Sequence, residues 1–126
     1  MATEAIQQLI SAPAASDLSG KQYYAVQLNS SSQIALATAA KNIDGILQDK
    51  PVAGQAGTIC RDGITKAAIT ASSAVLNGSL LEVDTAGTLK LLASGTAIAK
   101  AMEANGSAAY ITVITVEIMR SNAAFS

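Results

Sequence analysis

Between Tyr23 and Ala93 apolar and polar residues alternate with a period of two, the signature of strands with one buried face. YYAVQLN, SSSQ and IALA read as strand, polar turn and strand, and LLEVD, TAGT and LKLLA read the same way. A shift of 55 residues relates the two hairpins. It sets Val26 on Leu81, Leu28 on Val83, Asn29 on Asp84, Ile34 on Leu89, Leu36 on Leu91, Ile43 on Ile98, Leu47 on Met102 and Gln48 on Glu103. A three-residue deletion then restores the match, with Gly54 on Gly106, Thr58 on Tyr110, Ile59 on Ile111 and Cys60 on Thr112. Upstream, LSG ending at Gly20 matches LNG ending at Gly78. Turn residues and apolar residues agree in the same order, which alternation alone does not produce. Two similar β units are therefore predicted, residues 18–63 and 76–116, joined by ITKAAITASSA.

The last strand, YITVITVEIM, is apolar on both faces: Ile111 and Val113 on one, Ile114, Val116 and Ile118 on the other. Such a strand needs cover on both sides, so it is expected at the centre of a sheet or buried against another copy. A short helical turn fits between Ser72 and Asn77. The stretch IDGILQDKPVAG, from Ile43 to Gly54, reads as a strand entering a Pro/Gly turn, with Asp44 and Asp49 as solvated charges beside it and IAKAMEANG as its fainter echo. The first nineteen residues differ from the rest. An apolar stripe at Ala5, Ile6, Leu9 and Ile10 has helical spacing over two turns and is followed by SAPAASDLS. A helix so short is marginal alone, so residues 1–19 read as an arm that needs something to lie on, or as a frayed terminus, with a single β domain over residues 20–126.

A chain of 126 residues allows one domain of ordinary size. Half of it counts as hydrophobic, but alanine supplies much of that half and the aromatics are three tyrosines and one phenylalanine. Small side chains yield little transfer free energy each, so the core is thin and a partner surface, including further copies of the chain, is expected to help. Charged residues make up 13% and the net charge is −1, with the lysines and arginines scattered from Lys21 to Arg120. That distribution gives no footprint for a phosphate backbone, and nucleic acid is not an expected partner. No apolar run approaches the ~20 residues of a membrane span and no signal peptide is evident, so no membrane partner is expected and synthesis in a cytoplasm is.

Chemistry is sparse. Without histidine there is no Ser-His-Asp or Cys-His arrangement and no His-ligated zinc, and the one cysteine, Cys60, has no partner for a disulfide or metal and reads as a small buried hydrophobe. Asp44 with Asp49 is a poor glycosidase pair, because few aromatics are present to wall a cleft. Asp84, opening DTAGT, fits an Asx-turn. No GxGxxG or GxxxxGK[ST] loop occurs. The three Asn-x-Ser/Thr triplets, at Asn29, Asn77 and Asn105, read as turns. The chain is expected to be no enzyme, to use no cofactor and no metal, and to act by binding or assembly.

LSGKQYYAVQLNSS followed by IDGILQDKPVAGQAGTICRDGITK resembles the capsid decoration, or cement, proteins of tailed bacteriophages. In that family a Gly-aliphatic-Leu-Gln-x-Lys-Pro strand and turn precedes a Gly-rich turn, a strand and a Gly-Val/Ile-x-Lys segment. Gly45, Ile46, Leu47, Gln48, Lys50, Pro51, Gly54, Gly63 and Lys66 fit it, and NGSLLEVDTAGTLKLL fits a second hairpin through Gly78, Asp84 and Gly87. Lys100 stands where the repeat of Ile43-Asp44-Gly45 calls for glycine. The fold expected is mainly β: a small β-barrel or β-sandwich, β-tulip-like, built from the two units, with an N-terminal arm and at most a short helix. The resemblance implies a structural virion protein on the capsid exterior, a homotrimer that clamps neighbouring subunits of the major capsid protein and is made in the host bacterial cytoplasm. The arm residues Ile6, Leu9 and Ile10 would lie on the shell, Tyr23 and Tyr24 would meet shell or protomer, and Ile111 to Ile118 would form a core or oligomer strand. The alternative is a small β-barrel module of a phage tail or fibre that binds a carbohydrate or host surface, for which only Tyr23 and Tyr24 offer an aromatic platform.

Overall fold

The alternation is realised as nine strands among the residues described by the computed structural model: 8–38, 43–70, 75–84, 87–93, 96–103 and 112–118. They are β1 (Gln8–Pro13), β2 (Ala25–Leu28), β3 (Ile34–Leu36), β4 (Gly45–Leu47), β5 (Ala56–Ile69), β6 (Leu80–Val83), β7 (Leu89–Leu91), β8 (Ala99–Ala101) and β9 (Thr112–Ile118). Among the described residues there is no helix. Val75 to Ser79 make a turn, with the Ser79 N–H on the Leu76 carbonyl at 2.9 Å, where a helical turn was expected; residues 71–74 lie outside the description.

Two five-stranded rings share one strand. In the second, β5 pairs β9, β9 pairs β8, β8 pairs β6, β6 pairs β7, and β7 returns to β5 in parallel at Leu89 and Ile69, closing a barrel. In the first, β1, β5, β4, β2 and β3 follow one another antiparallel, and a parallel bridge between Ile34 and Ala14 joins the ends. The closures correspond: the Ala15 N–H donates to the Ile34 carbonyl and the Thr70 N–H to the Leu89 carbonyl, both at 2.8 Å. The shared strand β5 has 14 residues, long enough at about 3.3 Å per residue to give one half to each ring.

The repeat is therefore present, with limits that differ from the sequence alignment. Val26 pairs with Leu36 and Leu81 with Leu91, so the shift of 55 holds over the first hairpin. It also maps β1 onto the second half of β5. Beyond the hairpin the register moves: Val26 faces Gly45 whereas Leu81 faces Ala99, so Leu47 corresponds to Ala101 and not Met102. Leu47 in turn faces Ile59, and Ala101 faces Val116, so the last strand needs three extra residues where the alignment removed three. Gly78 matches Tyr23, not Gly20: both N–H groups donate at 2.7 Å, to Ala101 and to Leu47, and both residues have positive φ. These corrections are odd, one residue at Leu47 and five at Ile59, and would flip a strand that is apolar on one face only. They stay hidden because Ile46 beside Leu47 and Ile59 beside Cys60 are buried on both faces.

Two apolar clusters follow the rings. Ala14, Leu18, Val26, Ile34, Leu47 and Ile59 fill the first ring. The larger cluster holds the interior of the second, including Ile69, Leu81, Leu89, Ala101 and Val116, and it also takes in Ala25, Ala37, Ile46 and Cys60 from the outer side of the first. Residues 8–18, expected as part of an arm, thus belong to the first ring. Leu18 and Ala14 are fully buried, and the Leu18 N–H holds the Pro51 carbonyl at 2.9 Å. The helical spacing over Leu9 and Ile10 is overridden because β5 offers a hydrogen-bonding edge, which satisfies the backbone over the full length of β1.

Candidate functional site

The stretch Ile43 to Gly54 is a structural clasp, and its carboxylates are engaged. The half-buried Asp44 accepts the Leu28 N–H at 2.7 Å, and Asp49 accepts the Thr58 N–H at 3.0 Å. Gln48 donates to the Ile46 carbonyl at 2.9 Å and bonds Thr65, which ties β4 to the second half of β5. These bonds correct the reading of solvated charges, because each carboxylate satisfies a backbone donor that would otherwise be orphaned. Glu103, at the place of Asp49 in the second unit, accepts the Thr115 N–H at 2.6 Å, and that bond holds its carboxyl below the ordinary range. Asn29 caps the first hairpin: its Oδ1 accepts the N–H groups of Ser31 and Gln33 at 2.9 and 3.0 Å. Asp84 accepts the Thr70 hydroxyl at 2.8 Å, and residues 85–86 of the turn expected there lie outside the described residues.

Cys60 is buried with its Sγ 3.2 Å from the Asp62 carbonyl, and burial pushes the thiol pKa up, which disfavours the reactive thiolate. Among the described residues no group of three His, Cys, Asp or Glu could hold a metal, and no helix is long and apolar enough to cross a membrane.

The predicted contact residues separate into surface and core. Leu9 lies on β1 and is 52% exposed, whereas Ile10 packs against the first ring's interior; Ile6 lies outside the described residues. Hydrogen bonds join β1 to β5 on one side, and among the described residues its other side meets a strand only at the Ala14–Ile34 bridge. Tyr24 is 9% exposed, with the Lys21 ammonium 5.1 Å from its ring centroid, and so belongs to the core. Tyr23 is half-buried against the larger cluster, and its carbonyl accepts the Ala68 N–H at 2.9 Å. The tyrosines do not alternate across a strand, because Tyr23 has φ 72° and β2 begins at Ala25. In β9, Ile114, Val116 and Ile118 are buried, while Val113 is 44% exposed; Ile111 lies outside the described residues. Both edges of β9 are paired, to β5 and to β8, so the strand is internal to the sheet, and its outer face carries Val113, Thr115 and Glu117 in place of the second apolar face expected.

One surface was not anticipated. Leu76, Leu80, Leu92 and Met102 are exposed at one end of the second ring, brought together by bonds from the Leu92 N–H to the Leu80 carbonyl and from the Ala101 N–H to the Ser79 carbonyl. A signal existed in LLEV, where Leu80 breaks the alternation by adding an apolar residue to the outer face.

The fold defines a class: an all-β protein with a closed five-stranded barrel and further strands on it. Its fold is similar to the crystal structure of the N base of the head fiber gp8.5 of bacteriophage phi29, with a TM-score of 0.66 and 18% identity, over 92% of this chain and 97% of that one. No protein-family model and no curated protein sequence matches the chain.

Proposed function

We propose that the chain is a structural protein of a bacteriophage head that binds the outside of the capsid shell and stabilises it by clamping neighbouring subunits of the major capsid protein. The observation that carries this reading is the likeness of nearly the whole fold to a protein described as a phage head fiber base. The cement-protein resemblance of the Gly45 to Lys66 segment supports it independently. On this reading the chain acts without catalysis and as a homotrimer, so that each weak contact is made three times. The shell contact is β1, where Leu9 is exposed and, among the described residues, one strand edge is open to an extended segment of the partner. The buried Tyr24 leaves the tyrosine pair without the platform a sugar-binding module would use.

The test is co-sedimentation with expanded empty capsids of the same phage. Deleting residues 1–19 would remove the buried Ala14 and Leu18, so the informative variant is Leu9→Lys. It should keep the wild-type melting temperature and lose about tenfold or more in affinity. Undiminished binding by this variant would remove β1 from the contact, and absence of binding by the wild-type chain would overturn the reading itself.

A further inference from the structure

The junction between the rings is an interface of known composition, and the fold repeats both of its halves on the outward faces of the two rings. The first ring contributes its outer face at the start of β2: Ala25 and Ala37, with Ile46 opposite Cys60, all buried. The second ring contributes the β6–β7 tip and the second half of β5. The Gly87 carbonyl accepts the Ala25 N–H at 2.7 Å, and the Ala68 N–H reaches the Tyr23 carbonyl at 2.9 Å. A stack of copies, second ring of one on first ring of the next, would need the same contacts between the equivalent free faces. Such a head-to-tail contact does not close on itself and would grow without limit.

Each free face departs from the junction where the junction is most demanding. On the first ring, Pro13 stands at the position of Ala68 and has no N–H to give. Ser32 stands at the position of Gly87, where a Cβ would meet the Ala25 carbonyl at 2.9 Å. On the second ring, the exposed Leu80 and Leu92 replace the buried Ala25 and Ala37, too bulky for so close a backbone approach. Lys100 and Glu117, paired at 3.9 Å and directly opposite, replace Ile46 and Cys60. Covering that pair would strip water from two charges.

We propose that the chain is a two-ring stack capped at both ends, with these six residues set against end-to-end joining to further copies of itself. The inference concerns open-ended stacking only and stands whether or not the head-protein reading holds. Repeat proteins need terminal units with faces unlike the internal ones for the same reason.

The experiment restores each half separately. A donor variant carries Pro13→Ala and Ser32→Gly; an acceptor carries Leu80→Ala, Leu92→Ala, Lys100→Ile and Glu117→Val, with a second acceptor limited to the two leucines in case the first fails to fold. Cooperative melting establishes folding, and sedimentation velocity at about 100 μM reads assembly. Wild type and each variant alone should keep one mass across the concentration range, and the mixture should add one donor to one acceptor, with association at least about tenfold above that of wild type with itself. A wild-type mass that climbs in an open series with concentration overturns the proposal. So does independent sedimentation of folded donor and folded acceptor.

Discussion

The two rings follow one path and bury opposite amounts of the same outer face. Ile46 and Cys60 sit opposite each other, fully buried against the second ring; Lys100 and Glu117 occupy the corresponding pair of positions with their side chains about half exposed. Backbone hydrogen bonding is the same in both places, so what changed is only the neighbour. An apolar pair is retained where a second layer covers it, and an ion pair is found where water does. The contrast predicts the largest difference between equivalent positions. Ile46→Ala should cost about 2–5 kcal/mol, since the site is closed on every side. Lys100→Ala should stay within about 0.5 kcal/mol, because an exposed pair is screened. Chemical denaturation of the two variants gives both values, and similar losses would mean that the outer face of the second ring is covered as well.

A smaller difference separates Gly45 from Ala99, which both open the inner strand of their units and face Val26 and Leu81. A Cβ at Gly45 would collide with the Ile59 side chain and the Cys60 carbonyl, whereas the buried Ala99 already carries one. The first ring is drawn tighter at this point, with the Ile59 side chain and the Cys60 backbone closing on the space a Cβ would take. Gly45→Ala is expected to destabilise by about 1–3 kcal/mol, the usual range for overpacking. A melting temperature unchanged from wild type would show that the two rings have the same room here.

Much of this contrast was legible before the structure, and the parts that were not share a cause. The β units, their hairpins and the shared turn grammar follow from alternation and from Asn29, Asp84 and Gly87. The exact offsets do not, because Ile46 beside Leu47 and Ile59 beside Cys60 are apolar on both faces and give alternation no parity to read, and the true register depends on loop lengths between β4 and β5 and between β8 and β9. The place of Leu9 and Ile10 was misread because helical spacing is a local property and the edge of β5 is not. Tyr24 carried no sign of burial, since its cover comes from residues far along the chain, among them the hairpin at Gly87. The end face of the second ring is hardest to read for the same reason: Leu80 declares an extra apolar residue, but only the junction reveals that its counterpart, Ala25, is an interface position.

The least difference lies between the two carboxylate clasps. Asp49 on Thr58 and Glu103 on Thr115 hold equivalent N–H groups, but the second bond is shorter, 2.6 against 3.0 Å, and is made by a longer side chain in water. The Thr115 N–H favours the charged form of Glu103, so its folded pKa lies below the ordinary 4.5. A carboxyl depressed in this way adds stability that is complete above the unfolded value and is lost as pH falls through the folded one. Full exposure and salt keep that contribution small. It is better read at the bond than in the melting curve: the Thr115 amide proton should move downfield with Glu103 charged and return upfield with a midpoint below 4.5. Glu103→Gln should flatten that titration and leave the Thr58 amide unchanged. A midpoint at or above the ordinary value would mean that the clasp of the second ring is open in solution, and that the first ring alone fastens its turn in this way.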